Sequence, residues 1–296
     1  MTASPSISPV VSGDAPVIFF HIPKTAGMSL HGLFVRQYRG RAIHNMGVKN
    51  ITVEDWQRGL ERVRQMPAAE RDAMAVFKGH MIFGLHELLD RPARYVTFLR
   101  DPVKRFLSHY RMVHRLGSLP PETVLDAALP MWGLAAYPAL YRSIDNYQVR
   151  ALSGADFDLP FGACRQEHLA QAKDNLERHF AFVGLTEQFD RSLLLLRRVL
   201  GWKWRFYMSD NIAPEAHASV APGTVEKLRE INRLDADLYA FAQEKFERLA
   251  AQHGLALRAE LAAFRAGNWA HARLHRGRHG LKRLLGIERR PAMGAS

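Results

Sequence analysis

Residues 17–29 read Val-Ile-Phe-Phe-His-Ile-Pro-Lys-Thr-Ala-Gly-Met-Ser, and this stretch restricts the fold more than any other in the chain. An apolar run stops at Pro23. Lys24 and Thr25 follow, then a short segment of small residues, then Ser29 and the apolar-periodic Leu30, Leu33 and Phe34. The pattern predicts a buried strand over 17–22, a tight loop carrying one cation and several hydroxyls, and a helix over 29–38. Backbone N–H groups at a helix N-terminus, with a lysine and hydroxyls beside them, make an anion site, most simply for a phosphate. The loop is not a Walker A motif, which requires Gly, four residues and then Gly-Lys-Ser/Thr. Here Lys24 precedes Gly27, and no other stretch fits.

Apolar and β-branched runs predict further strands over 75–78, 94–99 and 180–185. Helical signals lie between them. Thr52 with Asp55 marks one helix start, and Asp101-Pro102 marks another, with Asp as N-cap and Pro at the first helical position. Helices are also expected over 121–129, 139–152 and 165–179, in a Leu-rich segment capped by Thr186, and from Ala221 to about His253. Alternating strands and helices argue for an α/β fold, a parallel sheet covered on both faces. Ligands of such sheets sit at the carboxyl ends of the strands. The Lys24 loop, His80 and Arg100 each follow a predicted strand, so all three should gather at one edge of the sheet. The expected organisation is a disordered leader over 1–15, one domain over 16–254 and a basic helical tail over 255–296.

Two further motifs carry chemistry. In Phe98-Leu99-Arg100-Asp101-Pro102-Val103-Lys104-Arg105-Phe106-Leu107-Ser108-His109-Tyr110, Arg100 leaves a strand end and offers a planar bidentate donor to a phosphate. Ser108 lies two turns into the following helix, about 10 Å along its axis, within reach of an extended Arg side chain. Taken alone, Arg100 favours a surface salt bridge to Asp101 or Glu122; the Lys24 loop upstream tips the reading toward phosphate binding. In Lys78-Gly79-His80, the imidazole follows a strand beside a glycine, and an unperturbed His titrates near pH 6.5, which suits removal of a hydroxyl proton. His86 competes for that role; its place after Gly84 suits a surface or capping position.

Together these segments resemble the sulfotransferases that use 3′-phosphoadenosine-5′-phosphosulfate (PAPS), in particular the carbohydrate branch of heparan, chondroitin and dermatan O-sulfotransferases. The loop of that branch usually reads His-Ile-Pro-Lys-Thr-Ala-Gly-Thr-Ser; this chain departs at Met28, which removes one hydroxyl but no backbone donor. The resemblance implies a P-loop-like three-layer fold and sulfuryl transfer to a hydroxyl, in the first instance of a carbohydrate. It implies that Lys24 sits at the bridging oxygen, and that Thr25, Gly27 and Ser29, with backbone donors of Ala26 and Met28, hold the 5′-phosphate. Arg100 and Ser108 would hold the 3′-phosphate and His80 would be the base, leaving adenosine 3′,5′-bisphosphate. No metal is expected, since Lys and Arg supply the charge. Weaker echoes, Asp145 to Arg150, Val183 to Glu187 and Tyr207 to Gly223, resemble an acceptor-side helix, with Arg150 and His86 as acceptor contacts, the last core strand, and a loop near the 3′-phosphate or adenine; all three suit a structural role equally well.

Charge leaves two other readings open. The net charge is +12, and residues 271–290 supply half of it, with seven Lys and Arg against Glu288. Such a tail could rest on an anionic membrane or polysaccharide, or be a solvated helix. The surplus is not a nucleic-acid face on the core, so no nucleic-acid partner is expected. A nucleotide-dependent phosphotransferase and a non-enzymatic polyanion-binding protein are the alternatives. Cys164 is the single cysteine, which excludes an intrachain disulfide. The first fifteen residues lack the basic and apolar regions of a signal peptide, and no run is long enough to span a bilayer. Membrane-anchored Golgi relatives differ in this respect, so the resemblance points to a soluble, bacterial-type, cytoplasmic member.

Overall fold

The computed structural model describes residues 15–47, 53–114, 143–154, 159–203 and 222–267. Five strands form one sheet: β1 (Val17–Phe20), β2 (Ala42–Asn45), β3 (Met74–Gly79), β4 (Arg94–Leu99) and β5 (Phe180–Leu185). All pairings are parallel, in the order β2-β3-β1-β4-β5. All four residues of β1 are buried, which explains a continuous apolar run in place of an alternating one. Phe19 stacks on Phe34 on one face, while Phe20 meets Tyr95 and Phe180 on the other.

The helices are α1 (Gly27–Gln37), α2 (Val53–Gln65), α3 (Ala68–Ala73), α4 (Pro102–His114), α5 (Tyr147–Ser153), α6 (Gln166–Arg178), α7 (Phe189–Leu200), α8 (Pro222–Ile231) and α9 (Arg233–Ala251). Short 3-10 turns cover Leu85–Leu88 and Thr186–Gln188. Strands β3, β4 and β5 and helices α1, α4 and α6 lie where the sequence places them. Asp101 caps α4 as expected, its Oδ1 accepting from Lys104 N at 2.8 Å. The helix expected over 121–129, the leader and the tail beyond 267 lie outside the described residues.

Several expectations need correction. β2 and α3 carry no sequence signal strong enough to predict them: β2 is a half-exposed four-residue edge strand held by pairing with β3. Thr186 caps no helix; its hydroxyl donates to the Leu99 carbonyl at 3.0 Å and ties β5 to the end of β4. The long helix expected over 221–253 is two helices, broken at Asn232. That break serves a reciprocal lock. Asn146 Oδ1 accepts from Leu234 N and Asp235 N, capping α9, while the Asp235 carboxylate accepts from Gln148 N and Val149 N, capping α5. Residues 254–267 continue as helix, with Leu257 and Phe264 in the core and Glu260 paired to Arg197 and Arg198 of α7.

Candidate active site

β1 lies between β3 and β4; the chain passes from β1 to β2 on one side and later crosses from β3 over β1 to β4 on the other, so a crevice opens at the carboxyl ends of these three strands. The segments that leave those ends are the Lys24 loop, His80 and Arg100. The order of the sheet therefore brings together three groups that lie far apart in sequence.

The loop itself has the backbone of an anion cradle. Lys24 and Ala26 both adopt left-handed conformations, with φ of 72° and 62°. Alternation of this kind turns successive N–H groups toward one point. Left-handed non-glycine residues cost about 1–3 kcal/mol each and persist where the surroundings enforce them. Thr25 is buried and supplies part of that enforcement, its Oγ1 donating to Ile22 O at 2.7 Å. Its hydroxyl thus braces the loop from below. Gly27 begins α1 and lies directly over His21: a Cβ there would fall 1.8 Å from the imidazole Nε2. Helix α1 has no acid in its first turn, and the Ser29 hydroxyl makes no hydrogen bond among the described residues. Met28 is 77% exposed, so its side chain leaves the loop backbone uncovered. This donor set fits a phosphate or sulfate group.

His80 follows Gly79, whose φ of +141° is accessible to glycine; a Cβ there would also approach Met46 Cβ at 3.2 Å. The turn sets the His80 ring against His21, with centroids 4.6 Å apart. Beneath them Lys78 donates to His31 Nδ1 at 2.8 Å, a further cationic group that the sequence reading passed over.

Arg100 is held at three points. Gln148 brackets its backbone, accepting from Arg100 N at 3.1 Å and donating to Arg100 O at 2.9 Å. Its Nη1 donates to Lys24 O at 3.1 Å, and its Nε lies 3.8 Å from Glu187 Oε1. Glu187 is fixed by Tyr239, whose hydroxyl donates to Oε2 at 2.7 Å. Among the described residues Arg100 thus has an ion-pair partner in Glu187; Glu122, one of the two acids considered from the sequence, lies outside them. Two of the weaker sequence echoes, around 145–150 and 183–187, contribute supports of Arg100 through Gln148 and Glu187; the third, over 207–223, lies almost wholly outside the described residues. Ser108 stands on the same helix as Met112, whose Sδ lies 3.7 Å from Lys24 Nζ, and its hydroxyl has no partner among the described residues.

Two expected acceptor contacts are elsewhere. His86 bonds the hydroxyl of Tyr95, at 3.0 Å from its backbone N and 3.1 Å from Nδ1, and packs on His179. Tyr95 and His179 mark the amino ends of β4 and β5, so His86 is at the opposite end of the sheet from Lys24. Arg150 is buried, paired with Asp145 and donating to Leu159 O at 2.6 Å and Pro160 O at 3.0 Å. Its guanidinium is part of the interior. Arg105, within the Arg100 motif, is also wholly buried, over the Tyr147 ring at 4.6 Å and bonded to Ser143 Oγ at 3.0 Å.

Burial, together with the electrostatic influence of His80, His31, Lys24 and Lys78, holds His21 well below the usual imidazole range. Burial, with Arg105, Lys24 and His80, lowers His109 to about 3. Both imidazoles take a proton more readily in the unfolded chain, near pH 6.5. Their contribution to stability is present above that pH and is lost as pH falls below it, by at most about 1.4 kcal/mol per pH unit for each group. The urea midpoint should therefore drop between pH 7 and pH 5; a midpoint that stays constant would show that these rings are not held neutral.

A parallel sheet of order β2-β3-β1-β4-β5 with a cationic loop at its switch point defines the P-loop-like class of α/β proteins. A family model described as Galactose-3-O-sulfotransferase matches residues 3–283, and the chain belongs to that family. It is similar to human heparan-sulfate 6-O-sulfotransferase 1, at 28% identity over 290 residues, 80% of this chain and 67% of the human one. Similarity to heparan-sulfate 6-O-sulfotransferase 2 of Danio rerio is 27% over 80% of this chain and 59% of the fish protein. The protein is thus a carbohydrate sulfotransferase, an enzyme of sulfuryl transfer. Among the described residues no helix is long and apolar enough to cross a membrane.

Proposed function

We propose that the enzyme takes PAPS as donor and transfers its sulfuryl group to a carbohydrate hydroxyl at the crevice above β1. The observation that carries this reading is the meeting of three adjacent strand ends at a left-handed lysine loop, a histidine and an arginine. Bound there, the donor supplies an activated sulfur whose leaving group is adenosine 3′,5′-bisphosphate. Backbone N–H groups from Thr25 to Ser29 hold the 5′-phosphate, and Lys24 neutralises the charge that grows on it. Arg100 and Ser108 hold the 3′-phosphate, which selects this nucleotide over ATP. His80 takes the acceptor proton as the new O–S bond forms and the S–O bond to phosphate breaks. Lys78, bonded to His31 and two residues before His80 on β3, gives the acceptor side a positive charge on the opposite side of β1 from Arg100.

Calorimetric titration with adenosine 3′,5′-bisphosphate tests this reading. Binding should be clear without added Mg²⁺ and weaker by about tenfold or more for AMP, which lacks one charged contact. Equal affinity for the two, or Mg²⁺-dependent ATP turnover, would favour a phosphotransferase instead.

A further inference from the structure

His109 has no role in the machinery above, yet its surroundings are unusual. It stands on α4 one turn before Met112, and positions three apart share a helix face. Met112 Sδ is the atom that Lys24 Nζ approaches, at 3.7 Å, so His109 stands on the face of α4 that meets the Lys24 side chain. The His109 ring is 8% exposed. Its Nδ1 lies 2.6 Å from Ser143 Oγ, and the same oxygen accepts from Arg105 Nη1 at 3.0 Å. Arginine can only donate, so the Ser143 oxygen is an acceptor toward Arg105, and its own hydrogen needs an acceptor. Among the described residues that acceptor is His109 Nδ1. The ring is then neutral with its proton on Nε2, and Nε2 has no partner among the described residues.

We propose that His109 is a further catalytic residue, whose Nε2–H donates a hydrogen bond to a non-bridging oxygen of the sulfuryl group during transfer. The inference rests on the sulfuryl-transfer reading above. A ring that takes its proton only near pH 3 is too weak a base for the acceptor hydroxyl, which separates His109 from His80. It suits a fixed neutral donor, already oriented by Arg105 and Ser143 before the donor nucleotide arrives. The electrostatic influence of Lys24 and His80 on this ring accords with its standing beside both.

Two variants separate the proposal from a purely structural role. His109→Asn keeps an acceptor near Ser143 and loses the donor at Nε2; His109→Gln places an amide N–H near that position. The transfer rate should fall by about 10²-fold in His109→Asn, with affinity for adenosine 3′,5′-bisphosphate within about threefold of the native protein. His109→Gln should recover most of the rate. In ¹⁵N-histidine spectra of the native protein, His109 should be the neutral Nε2–H tautomer throughout pH 5–8. Native-like transfer by His109→Asn, or an Nδ1–H tautomer, would overturn the proposal. A native protein that binds no bisphosphate and transfers no sulfate would instead contradict the donor reading, and the tautomer measurement would still decide the state of this ring.

Discussion

Replacing His80 by alanine should lower sulfuryl transfer by about 10²–10⁴-fold, the range expected when a positioned acid–base group is lost. Adenosine 3′,5′-bisphosphate should still bind with near-native affinity. The reason is the separation of parts around the crevice. The His80 ring lies on His21, whereas the nucleotide would be held by the loop after β1 and by the end of β4. Among the described residues, Thr25 braces the loop by holding Ile22, and Gln148 holds the Arg100 backbone. Single-turnover transfer of labelled sulfate, paired with calorimetry of the bisphosphate, measures both. Native-like turnover would remove His80 from the role of base. A parallel loss of binding would show that His80 supports the loop through His21.

Replacing Arg100 by alanine should produce the second large effect, a loss of about 10–10²-fold in affinity for adenosine 3′,5′-bisphosphate, the size of a charge-assisted contact to phosphate. AMP should bind almost as well as before, because the loop that takes the 5′-phosphate is unchanged. The comparison matters because Arg100 also donates to Lys24 O at 3.1 Å. If its main work were to brace the loop, both nucleotides would lose affinity equally. The Gln148 bracket and Glu187 act on the Arg100 backbone and side chain separately, so removing the guanidinium leaves the end of β4 in place.

The site was legible in the sequence wherever a short segment carries its own geometry. The strand–loop–helix around Lys24, the strand and capped helix around Arg100, and the Gly-His pair at 79–80 are each read from neighbours along the chain. The pairing of strands was not. β2 has only four half-exposed residues and exists by its ladder with β3. His80 and His86 look alike in sequence, six residues apart, yet the chain returns between them from one end of the sheet to the other. Arg150 read as a ligand arginine, and Arg105 drew no role, because composition cannot show that Asp145 will enclose the one and Tyr147 and Ser143 the other.

The sequence by itself determined the chemistry on offer: an anion loop with one lysine, a histidine after a strand, an arginine at a strand end, and the family these define. Local hydrogen bonding and hydrophobic periodicity reach only a few residues, which is why they suffice for those elements. Tertiary structure decided which cations face the crevice and which hold the fold together. It buried Arg105 and Arg150 and moved His86 to the opposite end of the sheet. It also set His109, on the face of α4 that meets Lys24, against Ser143. A charged or titratable side chain takes its role from the partners that desolvate and orient it, and for Arg105 and His109 that partner, Ser143, lies 38 and 34 residues away.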